Sequence, residues 1–265
     1  MITIIPIHID VQIQPGQNLA DIIFKYVKKA GQDFIENDII VVAQKIVSKS
    51  ENRIVHLETV VPSQSAIDIS KIHSKDPRLI QLILNESNKI VKLTRKHLIV
   101  QTKHGFICAN AGIDQSNVSE DASEVLLLPK EPDESAKIIQ KSLLELSSKK
   151  VSVIISDTFG RPFRIGQTNV AIGVAGIPAL RSYIGTNDAF GKELKVTEIA
   201  IADEIASAAE LVMGKVSGIP VAILRGYNYK SCVSDDYSKV SITQIIRRES
   251  DDLFLKYEQG VIGKP

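Results

Sequence analysis

Short runs of apolar, often β-branched residues alternate along the chain with segments whose apolar residues recur at helical spacing. A run of about four to eight apolar residues bounded by turn-forming residues is typical of a buried β-strand. Pro15-Gly16 closes the first run, and Arg225-Gly226 closes the last one. The runs therefore predict strands over 2–13, 38–43, 97–102, 151–156 and 219–224.

The amphipathic segments carry residues that begin and end helices. Asn18 stands before the segment 19–29 as an N-cap, and Gly31 follows its end. The pairs Asp76-Pro77 and Pro132-Asp133 mark two further helix starts. The pattern predicts helices over 19–29, 76–88, 132–150, 198–213 and 241–257.

The order of these elements predicts a mixed α/β fold of the α+β kind. Strands and helices do not alternate as strictly as they do in a doubly wound sheet. No Pro-, Gly- or Ser-rich linker interrupts the chain. We therefore predict a single domain over 1–265, with room for two closely joined lobes.

Composition and charge narrow the classes of partner. Hydrophobic residues make up 44% of the 265 residues. This fraction is enough for a large core, so folding does not require disulfide bonds or structural metals. Lys+Arg 32 against Asp+Glu 31 gives a net charge of +1, whereas proteins that coat nucleic acids carry a basic excess. No apolar stretch approaches the roughly 18 residues of a membrane span, and the N-terminal run lacks the basic segment of a signal peptide. We expect no nucleic-acid or membrane partner and a cytoplasmic location.

Several common catalytic motifs are missing from the sequence. There is no GxxxxGK[ST] or GxGxxG phosphate loop and no GxSxG nucleophile elbow. The five histidines are scattered without the spacing of a zinc hydrolase. Cys108 and Cys232 have no CxxC partner, so we predict buried or free thiols.

Two segments are dense in residues suited to metal and phosphate chemistry. The segment 104–118 ends a strand and then presents Asp114 and Asn117, and the segment 156–167 presents Asp157 and Thr158 at a strand end. Carboxylate and hydroxyl oxygens are hard ligands that suit Mg²⁺ or Mn²⁺. Arginine side chains can bind phosphate or carboxylate through two hydrogen bonds. Two arginines follow in the second segment, Arg161 and Arg164. The plainer alternatives are an Asp that caps a turn and arginines that are solvated.

Three other segments leave a functional and a structural interpretation open. Lys45 and Lys49 follow the strand 38–43, where strand-end loops bind ligands, but lysines there are often simply solvated. The loop 213–220 either grips a nucleotide through backbone amides or is an ordinary Gly-capped connection. The glycines of 171–176 allow close backbone approach, more often for strand–helix packing than for a ligand.

Taken together, four motifs in this order resemble the coenzyme F420-0:L-glutamate ligase family, also called F420:γ-glutamyl ligases. They extend over most of the chain from residue 2 to about residue 230. The motifs are VVAQKIVSKSENR (41–53), HGFICANAGIDQSNV (104–118), SDTFGRPFRIGQTNVAIGVAG (156–176) and LKVTEIAIADEIASAAELVMGKVSGIPVAILRG (194–226).

The resemblance implies a GTP-dependent ligase that adds L-glutamate to the deazaflavin coenzyme F420-0 through an acyl phosphate, releasing GDP and phosphate. It also implies two divalent cations (Mg²⁺ or Mn²⁺), a requirement for K⁺, and an intertwined homodimer whose fold is specific to the family and is not a P-loop fold. Asp114 and Asp157 would hold one cation and Thr158 the second. The nucleotide contacts would come from Gln44, Lys49 and Asn117, together with neighbouring Lys45 and the loop residues Met213, Gly214, Lys215, Val216, Ser217, Gly218, Ile219 and Pro220.

Two positions depart from the family pattern. The nucleotide-contacting stretch before the Pro-Gly turn usually reads Gly-Leu/Ile-Pro-Glu-Ile, and here it is Ile9-Asp10-Val11-Gln12-Ile13. Some members carry a metal-ligating Gln where this chain has Lys215, and a protonated lysine cannot ligate a cation. Two alternatives stay open: a related amide ligase with a different acceptor or amino acid, and a nucleotide- or deazaflavin-binding protein without turnover.

Overall fold

The computed structural model describes residues 1–115, 123–229 and 240–252. These residues form six α-helices and twelve β-strands, with a few short 3₁₀ turns. The strands are β1 (Thr3–Ile7), β2 (Ile39–Ala43), β3 (Ile54–His56), β4 (Ser87–Leu93), β5 (Leu98–Thr102), β6 (Ile107–Ala109), β7 (Glu124–Leu126), β8 (Ser152–Gly160), β9 (Gln167–Ala175), β10 (Arg181–Ser182), β11 (Glu198–Ile199) and β12 (Val221–Arg225). The helices are α1 (Leu19–Lys29), α2 (Gln44–Ser50), α3 (Gln64–His73), α4 (Pro77–Asn85), α5 (Pro132–Ser147) and α6 (Ile201–Met213).

A five-stranded mixed sheet, in the order β1-β12-β2-β8-β9, forms the centre of the fold. Only the β2–β8 pair is parallel, and the other three pairs are antiparallel. The apolar run Ile39–Val42 is fully buried in β2, as expected for a strand covered on both faces. Helices α5 and α6 pack against the sheet, and α1 packs against α5. The mixed α/β fold is thus confirmed.

A second, smaller hydrophobic cluster lies between α2 and α5 in sequence. It is built on α4, β5 and the two strands β3 and β7, which pair with each other. Leu79, Leu82 and Ile83 contribute the apolar face of α4, and Leu98 and Val100 contribute that of β5. The described residues therefore hold two adjoining cores, one on the large sheet and one in this smaller cluster.

The structure confirms most of the predicted elements. Helix α1 has the predicted bounds, and the Asn18 side chain accepts a hydrogen bond from the Ala20 amide at 3.0 Å. Asp76 caps α4 in the same way, and α5 begins at the predicted Pro132. None of the helices in these described ranges is long and apolar enough to cross a membrane. Cys108 is a buried free thiol as predicted, whereas Cys232 lies outside the described residues.

Five predicted elements need correction. The helix predicted over 76–88 ends at Asn85, and residues 87–88 already belong to strand β4. The first strand ends at Ile7, because residues 8–13 leave the sheet. The polar segment after β2 is not a loop but the helix α2, whose residues Ile46 and Val47 are buried in the core. Residues 198–199 form strand β11 before α6 begins. In place of one helix over 241–257, two 3₁₀ turns occupy Ile242–Ile245 and Glu249–Asp251, and the remainder lies outside the described residues.

The glycines of 171–176 serve packing, as the structural interpretation predicted. A Cβ atom on Gly173 would lie 2.5 Å from the carbonyl oxygen of Pro132 at the start of α5. A Cβ atom on Gly176 would lie 2.0 Å from the side-chain nitrogen of Gln140. Both glycines therefore let α5 approach the sheet closely.

We predict that Gly173→Ala lowers the thermal midpoint of unfolding, because the added methyl group must push the α5 backbone away from β9. Overpacking of this kind typically costs about 1–3 kcal/mol. Gly160→Ala, on the paired strand, is the matched control, since a Cβ atom there meets no atom within 4 Å. Thermal unfolding of both variants followed by circular dichroism tests the prediction. Equal midpoints for the two variants would contradict it.

Candidate functional site

The directions of the sheet strands bring four chain segments to one edge. In the parallel β2–β8 pair, Ala43 lies opposite Ser156, so α2 and Asp157 follow at the same edge. β12 runs antiparallel to β2 and begins at this edge, which places the loop 213–220 there. β1 ends at the same edge, because Ile7 pairs with Val221, and the segment 8–13 follows it.

These segments line a cleft of about 840 Å³, and residues 108–114 close its other side. The cleft brings together most of the residues singled out in the sequence. They are Val11, Gln12, Ile13, Gln44, Lys45, Lys49, Asp114, Asp157, Thr158, Met213, Gly214, Lys215, Val216, Gly218, Ile219 and Pro220.

Four of the predicted residues do not line the cleft, and a fifth cannot be placed. Asp10 instead accepts hydrogen bonds from Tyr26 and from Lys29 on α1, and these bonds lower the pKa of Asp10 to about 2. Ser217 is exposed within the 213–220 loop. Arg161 and Arg164 are exposed in the turn between β8 and β9, next to Gly160 and Gln167, which do line the cleft. Asn117 lies outside the described residues.

Helix α2 directs its polar side chains toward the cleft. Lys45 Nζ lies 2.7 Å from Oδ2 of Asp114 in an ion pair. One turn later, Lys49 is only 8% exposed, and burial together with the nearby Lys45 charge lowers the pKa of its ammonium group. Gln44 is buried, and its amide donates to Ser48 Oγ at 2.7 Å and to the Leu127 carbonyl at 3.3 Å. Two lysines one helical turn apart therefore face the carboxylate side of the cleft.

The chain opposite α2 has an unusual backbone. Asn110, Ala111 and Gly112 all have positive φ angles of 53°, 57° and 69°. Left-handed conformations are costly for residues other than glycine and concentrate at functional sites. The Oδ1 atom of Asn110 is buried at the cleft without a hydrogen-bond partner. Asp114 follows this turn and is held by two backbone hydrogen bonds of 2.9 Å to Leu126.

Asp157 lies in the cleft close to charged groups of both signs. Burial, together with the negative charge of Asp114, raises the pKa of its carboxyl group to about 6, and the Thr158 amide, Lys215 and Lys45 partly oppose this rise. No cation of the described chain lies within ion-pair distance of it. The neighbouring Ser156 Oγ is also buried at the cleft without a hydrogen-bond partner. A partly desolvated carboxylate therefore stands beside an unused hydroxyl group.

The ammonium group of Lys215 lies in the cleft, although 58% of its side chain is exposed. Its Nζ donates a hydrogen bond to Thr158 Oγ1, contacts Asn169 Oδ1 at 3.2 Å, and pairs with Glu210 Oε1 at 3.0 Å. Thr158 and Asn169 face each other across the β8–β9 pair. Glu210 reaches them from the last turn of α6. The ammonium group is thus surrounded by three oxygen atoms from three elements.

Sequence reasoning missed five polar residues of the cleft: Asn110, Ser156, Gln167, Asn169 and Glu210. Asn110, Ser156 and Gln167 lie within the two segments that the sequence singled out for metal and phosphate chemistry. Asn169 and Glu210 lie in regular elements, where a polar residue is usually a solvated one. Only their distances to Thr158 and Lys215 reveal a role.

A second cavity of about 680 Å³ opens at the other end of the sheet, where β8 begins. Its described lining is largely apolar, with Leu144, Val151 and Ala175, and it includes lysines but no carboxylate. It lacks the paired acidic and basic groups that distinguish the cleft at the carboxyl end of β2. We therefore assign the candidate site to the larger cleft.

Comparisons with known proteins agree with the motifs that line this cleft. The sequence model of the family described as F420-0:gamma-glutamyl ligase matches residues 7–226. The coenzyme F420:L-glutamate ligase of Methanocaldococcus jannaschii is 44% identical over 238 residues, which cover 89% of this chain and 90% of that protein. The protein of the same name from Methanothermobacter thermautotrophicus is 42% identical over 240 residues, which cover 90% of this chain and 93% of that protein. The one from Methanosarcina mazei is 44% identical over 242 residues, which cover 91% of this chain and 90% of that protein. By both measures, the chain belongs to the F420-0:gamma-glutamyl ligase family.

Proposed function

We propose that this protein joins L-glutamate to coenzyme F420-0 in a reaction that consumes GTP. Membership of the family and the names of its relatives support the two substrates. One observation carries the proposal: Asp114 and Asp157 share a cleft with the lysines Lys45, Lys49 and Lys215. A ligase that activates a carboxylate with a nucleotide must bring two anionic substrates together, and it needs positive charge to do so.

The carboxylate side of the cleft fits a divalent cation such as Mg²⁺ or Mn²⁺. Within the described ranges no three His, Cys, Asp or Glu side chains gather in one metal-binding group. The donors here are instead mixed: the carboxylates of Asp114 and Asp157 beside the partnerless oxygens of Asn110 and Ser156. Hard oxygen donors of these kinds are the usual ligands of both ions. When bound, the cation supplies Lewis-acid stabilisation of phosphoryl oxygens. The requirement for K⁺ stays a prediction.

The basic side of the cleft suits the nucleotide phosphates. Lys45 and Lys49 lie on the α2 face toward the cleft, and Gln44 begins that helix. Gly214 and Gly218 have positive φ angles of 60° and 65°. Because glycine has no Cβ atom, a ligand can approach the backbone of the 213–220 loop closely at these two positions. The Ile9 amide donates to the Gly218 carbonyl at 3.0 Å, so this loop and the atypical N-terminal stretch form one wall.

The proposed reaction has two transfers. An oxygen of the F420-0 carboxylate attacks the γ-phosphorus of GTP, and the bond to the bridging oxygen breaks, so GDP leaves with the electron pair. The glutamate amine then attacks the acyl carbon, and the carbon–oxygen bond to phosphate breaks. The amine proton passes to the departing phosphate or to water. Lys45 and Lys49 would neutralise the phosphate charge during the first transfer. Arg161 and Arg164 stay candidates for holding the acceptor's phosphodiester or carboxylates.

A direct assay tests the reaction. The purified protein is incubated with F420-0, L-glutamate, GTP and Mn²⁺, and the products are separated and weighed by mass spectrometry. We expect a deazaflavin heavier by one or more glutamyl units together with an equivalent amount of GDP. A product with another amino acid or acceptor would favour the related amide ligase, and nucleotide binding without GDP release would favour a binding protein.

Asp157→Asn should lower kcat/KM by about 10²–10³, because it removes a charged ligand of the cation that would stabilise the reacting phosphate. The control is Asp21→Asn, which neutralises an exposed carboxylate in the first turn of α1. Steady-state kinetics at saturating Mn²⁺ compare the two variants with the parent. Near-normal activity of Asp157→Asn would exclude a role for this carboxylate.

The same substitution should stabilise the metal-free protein at neutral pH. The pKa of Asp157 is raised from 3.8 to about 6, so the folded state binds its proton more tightly than the unfolded state does. Ionisation of Asp157 therefore costs stability as the pH rises from about 4 to about 6. Asp157→Asn should raise the thermal midpoint by a few degrees at pH 7.5 and leave it unchanged below pH 4. Thermal scans in EDTA test this, and a lower midpoint at pH 7.5 would contradict it.

We also propose a homodimer. Large apolar side chains are exposed on two protruding segments: Phe163 and Ile165 on the β8–β9 turn, and Phe190 and Val196 between β10 and β11. Exposed apolar residues in such number are typical of interaction surfaces. Ile165→Asp is expected to shift the protein from dimer toward monomer in analytical ultracentrifugation, whereas Gln167→Asp, two residues later at the start of β9, should not. A parent protein that sediments as a monomer would refute the proposal.

A further inference from the structure

The ammonium group of Lys215 is held by acceptors from several elements at once. Thr158 Oγ1, Asn169 Oδ1 and Glu210 Oε1 all lie within contact distance of its Nζ. A lysine ammonium offers three protons, so the three oxygens match its hydrogen-bonding capacity. The three oxygens thus form a cation-binding site, and the ammonium group of Lys215 occupies it.

The oxygens around Lys215 are also tied to one another. Thr158 Oγ1 donates to Asn169 Oδ1 at 2.7 Å, and Asn169 Nδ2 donates to Glu210 Oε2 at 2.9 Å. Glu210 therefore uses one carboxylate oxygen for Asn169 and the other for Lys215. Asn169 is only 4% exposed, so the group that orients Thr158 is itself fixed by the core. The network positions the hydroxyl toward the ammonium group.

A divalent cation on Thr158 would have to share this space with the ammonium group. The hydroxyl has one proton, which goes to Asn169, and one of its two lone pairs receives the Lys215 proton. A second positive centre within about 4 Å would repel the ammonium group. Asp157, by contrast, has no cation of the described chain within ion-pair distance. The two ends of the cleft therefore differ in what they can bind.

We propose that the Lys215 ammonium group takes the place of the second divalent cation, so that each active site binds a single Mg²⁺ or Mn²⁺, at Asp114 and Asp157. The ammonium group then contributes the remaining positive charge to the nucleotide phosphates. This inference rests on the proposed nucleotide-dependent reaction. It concerns the number of cations and does not depend on which acceptor is glutamylated.

Counting bound Mn²⁺ tests the inference without measuring turnover. Free Mn²⁺ is followed by its electron paramagnetic resonance signal while the full-length protein is titrated, first alone and then with a non-hydrolysable GTP analogue. We expect one Mn²⁺ per chain for the parent. Lys215→Gln removes the ammonium and supplies a ligating carbonyl oxygen, and we expect two Mn²⁺ per chain. Lys25→Gln, an exposed lysine on α1, makes the same charge change away from the cleft and should retain one.

A third variant separates the charge from the cation count. Lys215→Met supplies no hard ligand, so we expect one Mn²⁺ and an affinity for the GTP analogue at least about tenfold weaker by calorimetry. Two Mn²⁺ on the parent, one on Lys215→Gln, or unchanged nucleotide affinity in Lys215→Met would each overturn the inference. Failure of the parent to bind the GTP analogue would refute the nucleotide-dependent function, and the Mn²⁺ counts measured without nucleotide would still decide the number of cations.

Discussion

The parallel pairing of β2 with β8 is the constraint on which the candidate site depends. Its register, with Ala43 opposite Ser156, makes both strands reach the same sheet edge. A parallel pair needs a long crossover, and here the crossover contains the whole smaller cluster and α5. The connection that the strand direction requires is thus also the part of the chain that closes the cleft. Slipping this pair by one residue would turn the side chain of Asp157 to the other face of the sheet.

The cleft concentrates charge where the sheet would otherwise favour apolar residues. Burial raises the pKa of Asp157 to about 6 and lowers the pKa of Lys49, so both groups are held in a less favourable environment than water. Proteins retain such groups mainly where they act on a ligand. The buried oxygens of Asn110 and Ser156, which have no hydrogen-bond partner among the described residues, also lower the stability of the folded state. These buried polar and charged groups therefore lower the free energy of unfolding, which is typical of a ligand-binding site.

The two ends of the cleft differ in whether the chain itself places a cation there. At Asp157 no cation of the described chain lies within ion-pair distance of the carboxylate. At Thr158 the chain supplies the cation itself through Lys215, held by Asn169 and Glu210. The packing of α6 against β9 makes this possible, because it brings Glu210 to the strand that carries Asn169.

The amino-acid sequence by itself determined the local elements and the family. The N-cap Asn18, the helix start at Pro132 and the apolar run of β2 could be predicted because each depends on neighbouring residues. The order of the motifs indicated the family, which the comparisons confirm. The sequence did not reveal that the segment after β2 is a helix, since its buried face packs against distant parts of the core.

Only the tertiary structure decided which of the candidate residues meet. Asp10 and Arg161 lie within the chosen motifs, yet Asp10 bonds to α1 and Arg161 is exposed in a turn. Asn169 and Glu210 were not chosen, yet they hold Lys215 in the cleft. Spacing along the chain reports contacts within one element, whereas these contacts join a helix to a strand more than forty residues away. Such contacts depend on the order and direction of strands, which no local pattern in the sequence specifies.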